Sequence, residues 1–272
     1  MTIEELICYG KKYLHTNEVY MLLSHLLNYD NLELLNYLDN RVENAKVVKF
    51  KEMIEKVMNK EPIQYVLGNV NFYGYTFNVN KSVLIPRFET EELVFYTIDY
   101  INKFFKEEVS IIDLGCGSGN IGITLKKKIK NSKVTCVDIS DEALKIASNN
   151  ANNLGAEITF LKSDMLDNIK NKYNIIISNP PYISRDEDIE DIVKNNEPHL
   201  ALFADNDGLY FYEKILSTCK KNLQSKFLIA FEIGMNQREK IINIVNKYFS
   251  DVIIESKKDL SGKDRMIFIY HV

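Results

Sequence analysis

Hydrophobic and polar positions follow two different patterns along the chain. Through residue 58, apolar side chains recur at the spacing of an amphipathic helix, as in residues 21–23 (MLL) followed by 26–27 (LL). Residues 2–5 (TIEE) and 30–33 (DNLE) match the capping-box pattern that precedes a helix. These features predict a small bundle of about four helices at the start of the sequence.

From residue 109 onward, short apolar runs alternate with helical patterns. The predicted strands are residues 110–113, 133–137, 158–161, 173–178, 227–231, 252–256 and 266–270. Helices are predicted from Asn120, from Asp141, over 209–219 and over 237–248. Strands that alternate with helices form a mostly parallel, doubly wound sheet. We therefore predict an α/β domain with a seven-stranded sheet, whose last two strands lack an intervening helix and pair antiparallel at one edge.

A short aromatic segment separates these two patterns. Residues 70–74 and 75–80 are β-prone runs typical of a hairpin. All five prolines lie at or after Pro62, and the first sixty residues contain a single glycine, Gly10, so the composition changes at this point. The predicted domains are a helical bundle over 1–67, a β-hairpin linker over 68–85 and the α/β domain over 86–272.

Composition restricts the classes of function. The chain has 272 residues and a formal net charge of −4, which disfavours a broad cationic surface for nucleic acid. No apolar run is long enough to span a bilayer and no signal-peptide pattern is present, so we expect a cytoplasmic protein without direct contacts to nucleic acid or membrane. The cysteines and histidines are scattered, so no metal site is predicted. No feature of the sequence predicts an oligomeric state.

The sequence Ser-Asn-Pro-Pro-Tyr at residues 178–182 ends the fourth predicted strand. Prolines cannot donate to a ladder, so Pro180 and Pro181 stop the strand and make the following loop rigid. The Asn179 side-chain oxygen and the Pro180 carbonyl are two acceptors for the N–H groups of an amide or exocyclic amine, whose lone pair is otherwise delocalised. Tyr182 would stack on the planar group. In isolation, the same residues are equally compatible with a turn that only ends a strand.

A glycine-rich loop at residues 113–120 (DLGCGSGN) follows the first strand of the α/β domain, where a doubly wound sheet binds nucleotides. Read from Gly117, it fits the dinucleotide pattern Gly-x-Gly-x-x-Gly, so an NAD-dependent oxidoreductase is one alternative. The loop also resembles the Asp-x-Gly-x-Gly-x-Gly loop of methyltransferases that use S-adenosylmethionine (SAM). The cofactor-binding residues that this resemblance implies are Asp113, Gly115, Cys116, Gly117, Ser118 and Gly119.

Further cofactor contacts are predicted at the ends of neighbouring strands. Asp138 ends the second strand and is placed to accept hydrogen bonds from both ribose hydroxyls. Asp164 and Met165 follow the third strand and would flank the adenine, although Asp164 is also compatible with capping its loop. Asn179, at the end of the fourth strand, completes the predicted cofactor site.

Together these motifs resemble a known family. The glycine loop, Asp138 and the Asn-Pro-Pro-Tyr loop resemble the class I (Rossmann-like) SAM-dependent methyltransferases that act on a planar nitrogen. Residues 62–68 (PIQYVLG), 72–74 (FYG) and 85–91 (IPRFETE) narrow the resemblance to the release-factor glutamine methyltransferases, the PrmC/HemK family. Residues 197–198, 201–202, 207–209 and 232–234 also fit this family. The resemblance extends over nearly the whole chain.

The resemblance implies methyl transfer from SAM to the side-chain amide nitrogen (N5) of the glutamine in the Gly-Gly-Gln motif of peptide-chain release factors. It implies Asn179, Pro180 and Tyr182 as catalytic residues, and the bundle over 1–67 as the docking domain. The implied substrate contacts are Arg87, Glu89, Asn179, Pro180, Pro181 and Tyr182. The chain departs from the family pattern at Ala204, where glycine is expected, and at Met165, where a bulkier residue can sit against adenine.

Alternatives to this function stay open at the level of sequence. A methyltransferase with the same loop could act on a glutamine of a ribosomal protein or on adenine in DNA, although adenine in a duplex requires base flipping and a basic surface. A module that binds release factor or nucleotide without catalysis is a further alternative, beside the oxidoreductase. The acid-rich residues 184–196 are predicted to form a solvated loop rather than a lid.

Overall fold

The first helices begin where the capping patterns predict. In the computed structural model, which describes residues 1–272, the Thr2 hydroxyl accepts a hydrogen bond from the Glu5 amide at 3.2 Å, and the Glu5 carboxylate accepts one from the Thr2 amide at 2.9 Å. Asp30 and Glu33 make the same reciprocal pair. Each pair satisfies backbone donors that a first helical turn leaves free. The capping boxes therefore fix two helix starts, as the sequence predicts.

The chain divides into two units, and the smaller one comprises Met1–Asn69 with Glu190–Asn196. Its first five helices are α1 (Ile3–Gly10), α2 (Thr16–Leu27), α3 (Asn31–Asn36), α4 (Asn44–Met58) and α5 (Ile63–Leu67). Leu6, Leu22 and Phe50 are fully buried in its apolar core. The predicted bundle of about four helices is present, and α5 is a short fifth helix that the hydrophobic pattern did not resolve.

The larger unit, Val70–Ile189 with Glu197–Val272, is built on a seven-stranded sheet. The strands of the chain are β1 (Asn69–Phe72), β2 (Tyr75–Asn78), β3 (Val109–Leu114), β4 (Ser132–Asp138), β5 (Ile158–Lys162), β6 (Tyr173–Ser178), β7 (Ile183–Ser184), β8 (Phe203–Ala204), β9 (Leu223–Glu232), β10 (Ile253–Lys258) and β11 (Asp264–His271). The strand order in the sheet is β10-β11-β9-β6-β3-β4-β5. Only β11 runs antiparallel to its neighbours β9 and β10, which confirms the predicted mostly parallel sheet.

Helices cover both faces of this sheet. The remaining helices are α6 (Phe88–Phe104), α7 (Asn120–Lys128), α8 (Asp141–Leu154), α9 (Asp191–Asn196), α10 (His199–Leu202), α11 (Tyr210–Thr218) and α12 (Arg238–Tyr248). Alternate residues of β6 enter different apolar clusters: Ile175 and Ile177 pack with α6 to α8, and Ile176 packs with α11 and α12. Because strands covered on both faces bury every side chain, they read as continuous apolar runs, which is how the sequence identified them.

The segment after β6 is more ordered than the sequence predicts. Residues 184–196, expected to be a solvated loop, contribute Ser184 to β7 and the whole of α9, which belongs to the smaller unit. The strand β7 pairs in parallel with β8, where Ala204 lies opposite Ser184. Ala204 is buried and does not have a positive φ, so its Cβ causes no backbone strain at this departure from the family pattern.

The hairpin of β1 and β2 belongs largely to the larger unit. Phe72 and Phe77 are 1% and 0% exposed and pack edge to face in its core. Asn150 of α8 accepts a hydrogen bond from the Asn78 amide at 2.8 Å and donates one to the Asn78 carbonyl at 3.0 Å. The domain limits 1–67, 68–85 and 86–272 stay predictions, but these contacts make the hairpin a packed element of the larger unit. No helix of the chain has the length and apolar character required to cross a membrane.

Truncation of Phe77 tests whether the hairpin is part of the core. Phe77→Ala is expected to lower the free energy of unfolding by about 3–5 kcal/mol, the usual loss for a buried phenylalanine. The measurement is chemical denaturation followed by circular dichroism. Thr76→Ala, at the exposed neighbouring position, is the control and should change stability by no more than about 0.5 kcal/mol. Equal, small effects of both substitutions would identify the hairpin as a linker.

Candidate active site

A cavity lies at the carboxyl ends of the parallel strands, where doubly wound sheets bind their ligands. Its volume is about 280 Å³. The loops after β3, β4, β5 and β6 contribute to its wall, together with residues before α6 and in α10 and α11. Among the residues predicted to bind a cofactor or substrate, those that line it are Gly115, Gly117, Asp138, Asp164, Met165, Asn179 and Pro181.

Asp138 connects the glycine loop to the end of β4. One carboxylate oxygen accepts a hydrogen bond from the Gly117 amide at 2.9 Å, and the other accepts one from the Ser140 amide at 2.9 Å. Burial raises the pKa of Asp138, while these backbone donors lower it. Each carboxylate oxygen has a second lone pair, so the side chain can bind two hydroxyl groups while it holds the loop.

The other predicted residues of the glycine loop lie behind the cavity wall. Cys116, Ser118 and Gly119 are buried and do not line the cavity. Gly119 has a φ of +79°, and a Cβ there would lie 2.8 Å from Ile123 and 3.1 Å from Ala147. A larger residue would therefore push the loop away from α7, on which it rests. These residues shape the loop instead of forming the surface that faces a ligand.

Asp113 is completely buried, in contrast to its predicted direct contact with a cofactor. One carboxylate oxygen accepts a hydrogen bond from the Gly122 amide at 2.9 Å, in the first turn of α7, and the other has no partner. Burial raises the pKa of this carboxyl group to about 7. Its role in the structure is to fasten α7 to the end of β3. Sequence spacing could not detect this, because the same Asp-x-Gly pattern is compatible with both orientations.

Asp164 and Met165 line the cavity after β5, with Met165 beside the glycine loop. Asp164 forms an ion pair with Lys214 at 2.7 Å, which leaves its carboxylate partly exposed. Met165 is 7% exposed and adopts a left-handed backbone conformation with a φ of 51°. Its terminal methyl group lies 3.9 Å from the position of a Cβ on Gly115, so methionine narrows the cavity beside the glycine loop. The flexible thioether supplies an apolar surface where the family pattern allows a bulkier side chain.

The loop after β6 presents two acceptors without partners. Ser178 fixes the start of this loop, because its hydroxyl donates to the Leu114 carbonyl of β3 at 2.7 Å. Asn179 lines the cavity, and its side-chain nitrogen donates to the Thr90 hydroxyl at 3.1 Å. No group of the chain donates to the Asn179 side-chain oxygen or to the Pro180 carbonyl. Asn179 therefore offers its oxygen, rather than its nitrogen, to a ligand. Pro180 is buried and, unlike Asn179, does not line the cavity.

Tyr182 anchors the end of this loop and does not line the cavity. Its ring packs against the core cluster that includes α11 and α12, and its hydroxyl lies 3.5 Å from the Glu232 carboxylate. Burial raises the pKa of Tyr182 above its usual value. The Gln237 side chain donates to the Tyr182 carbonyl at 2.8 Å. At Gly208, a Cβ would lie 2.0 Å from that same carbonyl, so only glycine fits there. Tyr182 is partly exposed, so its role in stacking on the planar group stays a prediction.

The predicted substrate residues before and within α6 have different surroundings. Arg87 forms an ion pair with Glu197, whose carboxylate also accepts a hydrogen bond from the Ile85 amide at 3.1 Å. Since Glu197 is 4% exposed, this ion pair ties residues 85–87 to the segment that begins α10, beside the cavity. Glu89 is partly exposed, and its charge raises the pKa values of Tyr182 and Glu232.

Four residues of this region were missed as candidate site residues. They are Thr90, Glu197, Glu232 and Gln237. Three of them lie in segments that the family resemblance already included, but a short motif gives no partner for a side chain. Gln237 lies outside the segments that resemble the family, and no pattern in the sequence indicates a role for it. Their common property is a hydrogen bond to a residue far away along the chain, such as the 142 positions between Thr90 and Glu232.

The residues around the cavity fit SAM. The cavity lining combines two glycines without side chains, Gly115 and Gly117, the acidic Asp138, and three apolar residues, Ile139, Ala143 and Met165. This combination of a hydrogen-bond acceptor with apolar side chains suits a nucleoside, which has ribose hydroxyls to donate and an apolar base face to cover. Asn179 lines the same cavity, and its side-chain oxygen has no partner within the chain.

Two family models and a solved structure are similar to parts of this chain. Residues 98–201 match the methyltransferase small domain family, and residues 13–68 match the PrmC N-terminal domain family. Among solved structures, the 16S rRNA N2 G1207 methyltransferase of T. thermophilus, in complex with AdoMet and guanosine, has a TM-score of 0.55 at 14% identity, covering 75% of this chain and 50% of that chain. At this identity, the likeness concerns the fold alone.

Curated relatives are similar over almost the full length. The release factor glutamine methyltransferase of Bacillus anthracis is 38% identical over 254 residues, which cover 91% of this chain and 90% of that protein. The proteins of the same name from Bacillus subtilis and Clostridium botulinum are 37% and 40% identical, covering 98% and 91% of this chain and 96% and 89% of those proteins. With the methyltransferase sheet, the cavity and the Asn-Pro-Pro-Tyr loop in place, these identities show that the chain belongs to the release factor glutamine methyltransferase family.

Proposed function

We propose that this protein transfers the methyl group of SAM to the side-chain amide nitrogen of a glutamine in peptide-chain release factors, within their Gly-Gly-Gln motif. The relatives that carry this activity in their names support the reaction and the class of substrate. The structural observation that supports it most directly is the pair of free acceptors, the Asn179 side-chain oxygen and the Pro180 carbonyl. They suit a substrate group that has two N–H donors on one nitrogen.

Amide nitrogen is a poor nucleophile, because its lone pair is delocalised into the carbonyl group. Asn179 and the Pro180 carbonyl accept hydrogen bonds from both N–H groups, which holds the nitrogen in place and localises electron density on it. When bound, SAM supplies a methyl group that its sulfonium makes electrophilic. One of the two N–H protons must leave when the nitrogen gains the methyl group. The acceptors are amide oxygens and too weakly basic to keep this proton, so it passes along the hydrogen bond to solvent water. The rigid prolines keep both acceptors in a fixed geometry.

Cofactor binding is assigned to the glycine loop and to the ends of β4 and β5. Asp138 accepts hydrogen bonds from the ribose hydroxyls, while the backbone of Gly115 and Gly117 allows the ligand to approach closely. Met165 packs against the adenine. Asp164 is held by Lys214 beside this group and contributes a partly neutralised carboxylate. Cys116, Ser118 and Gly119 do not line the cavity and act by keeping the glycine loop in its conformation.

We further propose that the helices over residues 1–67 dock the release factor. The match of residues 13–68 to the PrmC N-terminal domain supports this assignment. The partner is a protein and not nucleic acid or a membrane, in accord with a net charge of −4 and with helices too short or too polar to span a bilayer. The proposed site of action is the cytoplasm, where release factors meet the ribosome.

A transfer assay tests the reaction and its target together. Purified protein is incubated with SAM labelled on the methyl group and with a release factor, in parallel with a release factor whose motif glutamine is alanine. Label is expected on the wild-type factor alone. Label on ribosomal protein or on DNA, offered in separate tubes, would replace the proposed substrate. Absence of label on all of them, despite SAM binding, would favour a binding module.

Removal of the Asn179 side chain should separate turnover from cofactor binding. Asn179→Ala is expected to lower kcat by about 10²–10³-fold, as does the loss of one preorganised hydrogen-bonding group in other active sites. Affinity for SAM, measured by calorimetry, should stay near the wild-type value. Asn171→Ala, an exposed position on the same unit, is the control and should leave both quantities unchanged. Retained turnover in Asn179→Ala would contradict the assigned role.

Replacement of Asp138 removes two interactions at once: the proposed contact with the ribose and the hydrogen bond that holds the glycine loop through the Gly117 amide. A pair of ligands that differ only in the ribose hydroxyls separates the two. Asp138→Ala should weaken binding of 5′-methylthioadenosine by about 1.5–3 kcal/mol more than binding of its 2′,3′-dideoxy analogue, because only the first ligand can use the carboxylate. Calorimetry with both ligands and both proteins gives the four affinities. Equal losses for the two ligands would mean that Asp138 acts only through the loop.

A further inference from the structure

A buried chain of hydrogen bonds leads from the central sheet to the proposed methyl-accepting site. Glu232 is the last residue of β9 and is 1% exposed. The Thr90 hydroxyl, in the first turn of α6, lies 2.6 Å from one Glu232 carboxylate oxygen. The Asn179 side-chain nitrogen lies 3.1 Å from the same hydroxyl. Thus three side chains from three separate segments form one continuous path.

An ionised carboxylate fixes the direction of this path. Glu232 without its proton only accepts hydrogen bonds, so the Thr90 hydroxyl must donate its single proton to Glu232. The Thr90 oxygen is then available only as an acceptor, and Asn179 must present its NH₂ group to it. In consequence, the Asn179 oxygen is left for the cavity.

We propose that Thr90 and Glu232 are positioning residues that lock the Asn179 amide, so that its oxygen faces the nitrogen to be methylated. This inference rests on the proposed function, because it concerns the acceptor that the substrate amide uses. The need for such a lock follows from the shape of asparagine. Its oxygen and NH₂ group are almost equal in size, so packing alone discriminates weakly between the two orientations. In the reversed orientation, NH₂ would face the N–H groups of the substrate, and the acceptor would be lost.

The groups around Glu232 set the pH at which this lock operates. Burial, with a smaller contribution from the charge of Glu89, raises the pKa of Glu232 to about 7, although hydrogen bonds from the Thr90 and Asn179 side chains and the positive charge of Arg265 lower it. The Tyr182 hydroxyl lies 3.5 Å from the Glu232 carboxylate, and the Tyr212 hydroxyl donates to the Glu232 backbone carbonyl at 2.8 Å. These groups face Glu232 from α6, β11, the loop after β6 and α11.

Protonation of Glu232 would release the lock. A protonated carboxyl group has a donor of its own, so it can donate to Thr90, and Thr90 can then donate to the Asn179 oxygen. The reversed path turns the Asn179 NH₂ group toward the substrate. Below a pH of about 7 the protonated form dominates, so turnover should fall as the pH is lowered through this value.

A competing explanation is that Thr90 only ties α6 to β9. Thr97 supplies a matched control, because it lies on the same helix, is fully buried and donates its hydroxyl to the Leu93 carbonyl at 2.7 Å. Both Thr90→Val and Thr97→Val remove one buried hydroxyl at nearly constant volume. Only the first substitution removes the hydroxyl that accepts from the Asn179 side-chain nitrogen.

The first experiment compares Thr90→Val, Thr90→Ser and Thr97→Val with the full-length protein. Thr90→Val is expected to lower kcat by about 10²-fold, the effect of slightly misplaced reacting groups, while the affinity for SAM stays unchanged. Thr90→Ser, which keeps the hydroxyl, should retain most of the activity, and Thr97→Val all of it. Equal losses in Thr90→Val and Thr97→Val would reduce Thr90 to a structural tie, as would a loss that Thr90→Ser does not restore.

A second readout does not depend on turnover. Hydrogen exchange of the Asn179 side-chain NH₂ group, followed by NMR on protein labelled with ¹⁵N-asparagine, reports whether that group is held. Exchange should accelerate in Thr90→Val but not in Thr97→Val. An unchanged rate in Thr90→Val would overturn the lock even if its turnover fell. Wild-type protein that methylates nothing would refute the proposed function, whereas the exchange measurement would still test the lock.

The last experiment uses Glu232→Gln. Glutamine keeps the size of Glu232 and can accept from Thr90, but it does not titrate. The wild-type kcat is expected to fall below a pH of about 7, and this fall should be absent in Glu232→Gln. At higher pH, the variant should be slower than the wild type. The glutamine amide can both donate to Thr90 and accept from it, so it no longer forces the Thr90 hydroxyl to donate away from Asn179. A fall with the same midpoint in both proteins would show that Glu232 does not control it.

Discussion

The parallel pairing of β3 with β6 is the constraint on which the site depends. Leu114 and Ser178 are opposite each other at the ends of these strands, and the Ser178 hydroxyl also donates to the Leu114 carbonyl. Because parallel strands end at the same edge, the glycine loop and the Asn-Pro-Pro-Tyr loop leave the sheet side by side. In the proposed function one loop contributes to cofactor binding and the other carries the acceptors, so the spacing of two adjacent strands sets the distance between them.

Buried polar groups make this edge of the sheet rigid. Asp113 accepts a hydrogen bond from the first turn of α7, and Asp138 accepts one from the glycine loop. Glu232 accepts one from Thr90, which in turn contacts Asn179. A buried carboxylate is unfavourable unless donors surround it, so each of these groups requires the neighbouring elements to be in place. Charge and packing are therefore coupled here, and the raised pKa values of all three groups have the same origin in burial.

Segments outside the parallel sheet complete the site. Thr90 comes from the first turn of α6, Arg87 pairs with Glu197 just before α10, and Gln237 holds the Tyr182 carbonyl. None of these side chains needs to touch a ligand to matter. They fix the loop from outside, and a loop that is held at several points can present two acceptors to one nitrogen with little loss of conformational entropy.

The sequence alone determined the fold class, the positions of the sheet strands along the chain, and the place of the glycine loop, Asp138 and Asn179 at the ends of strands. Each of these depends on local patterns: apolar runs, capping boxes, and glycines and prolines at fixed spacings. It did not determine that Asp113 is completely buried, that Tyr182 packs against the core or that Thr90 and Glu232 meet. Only the tertiary structure decided these, since the direction of a side chain depends on partners that folding brings from distant segments. A buried hydrogen bond across 142 positions leaves no periodic pattern in the sequence.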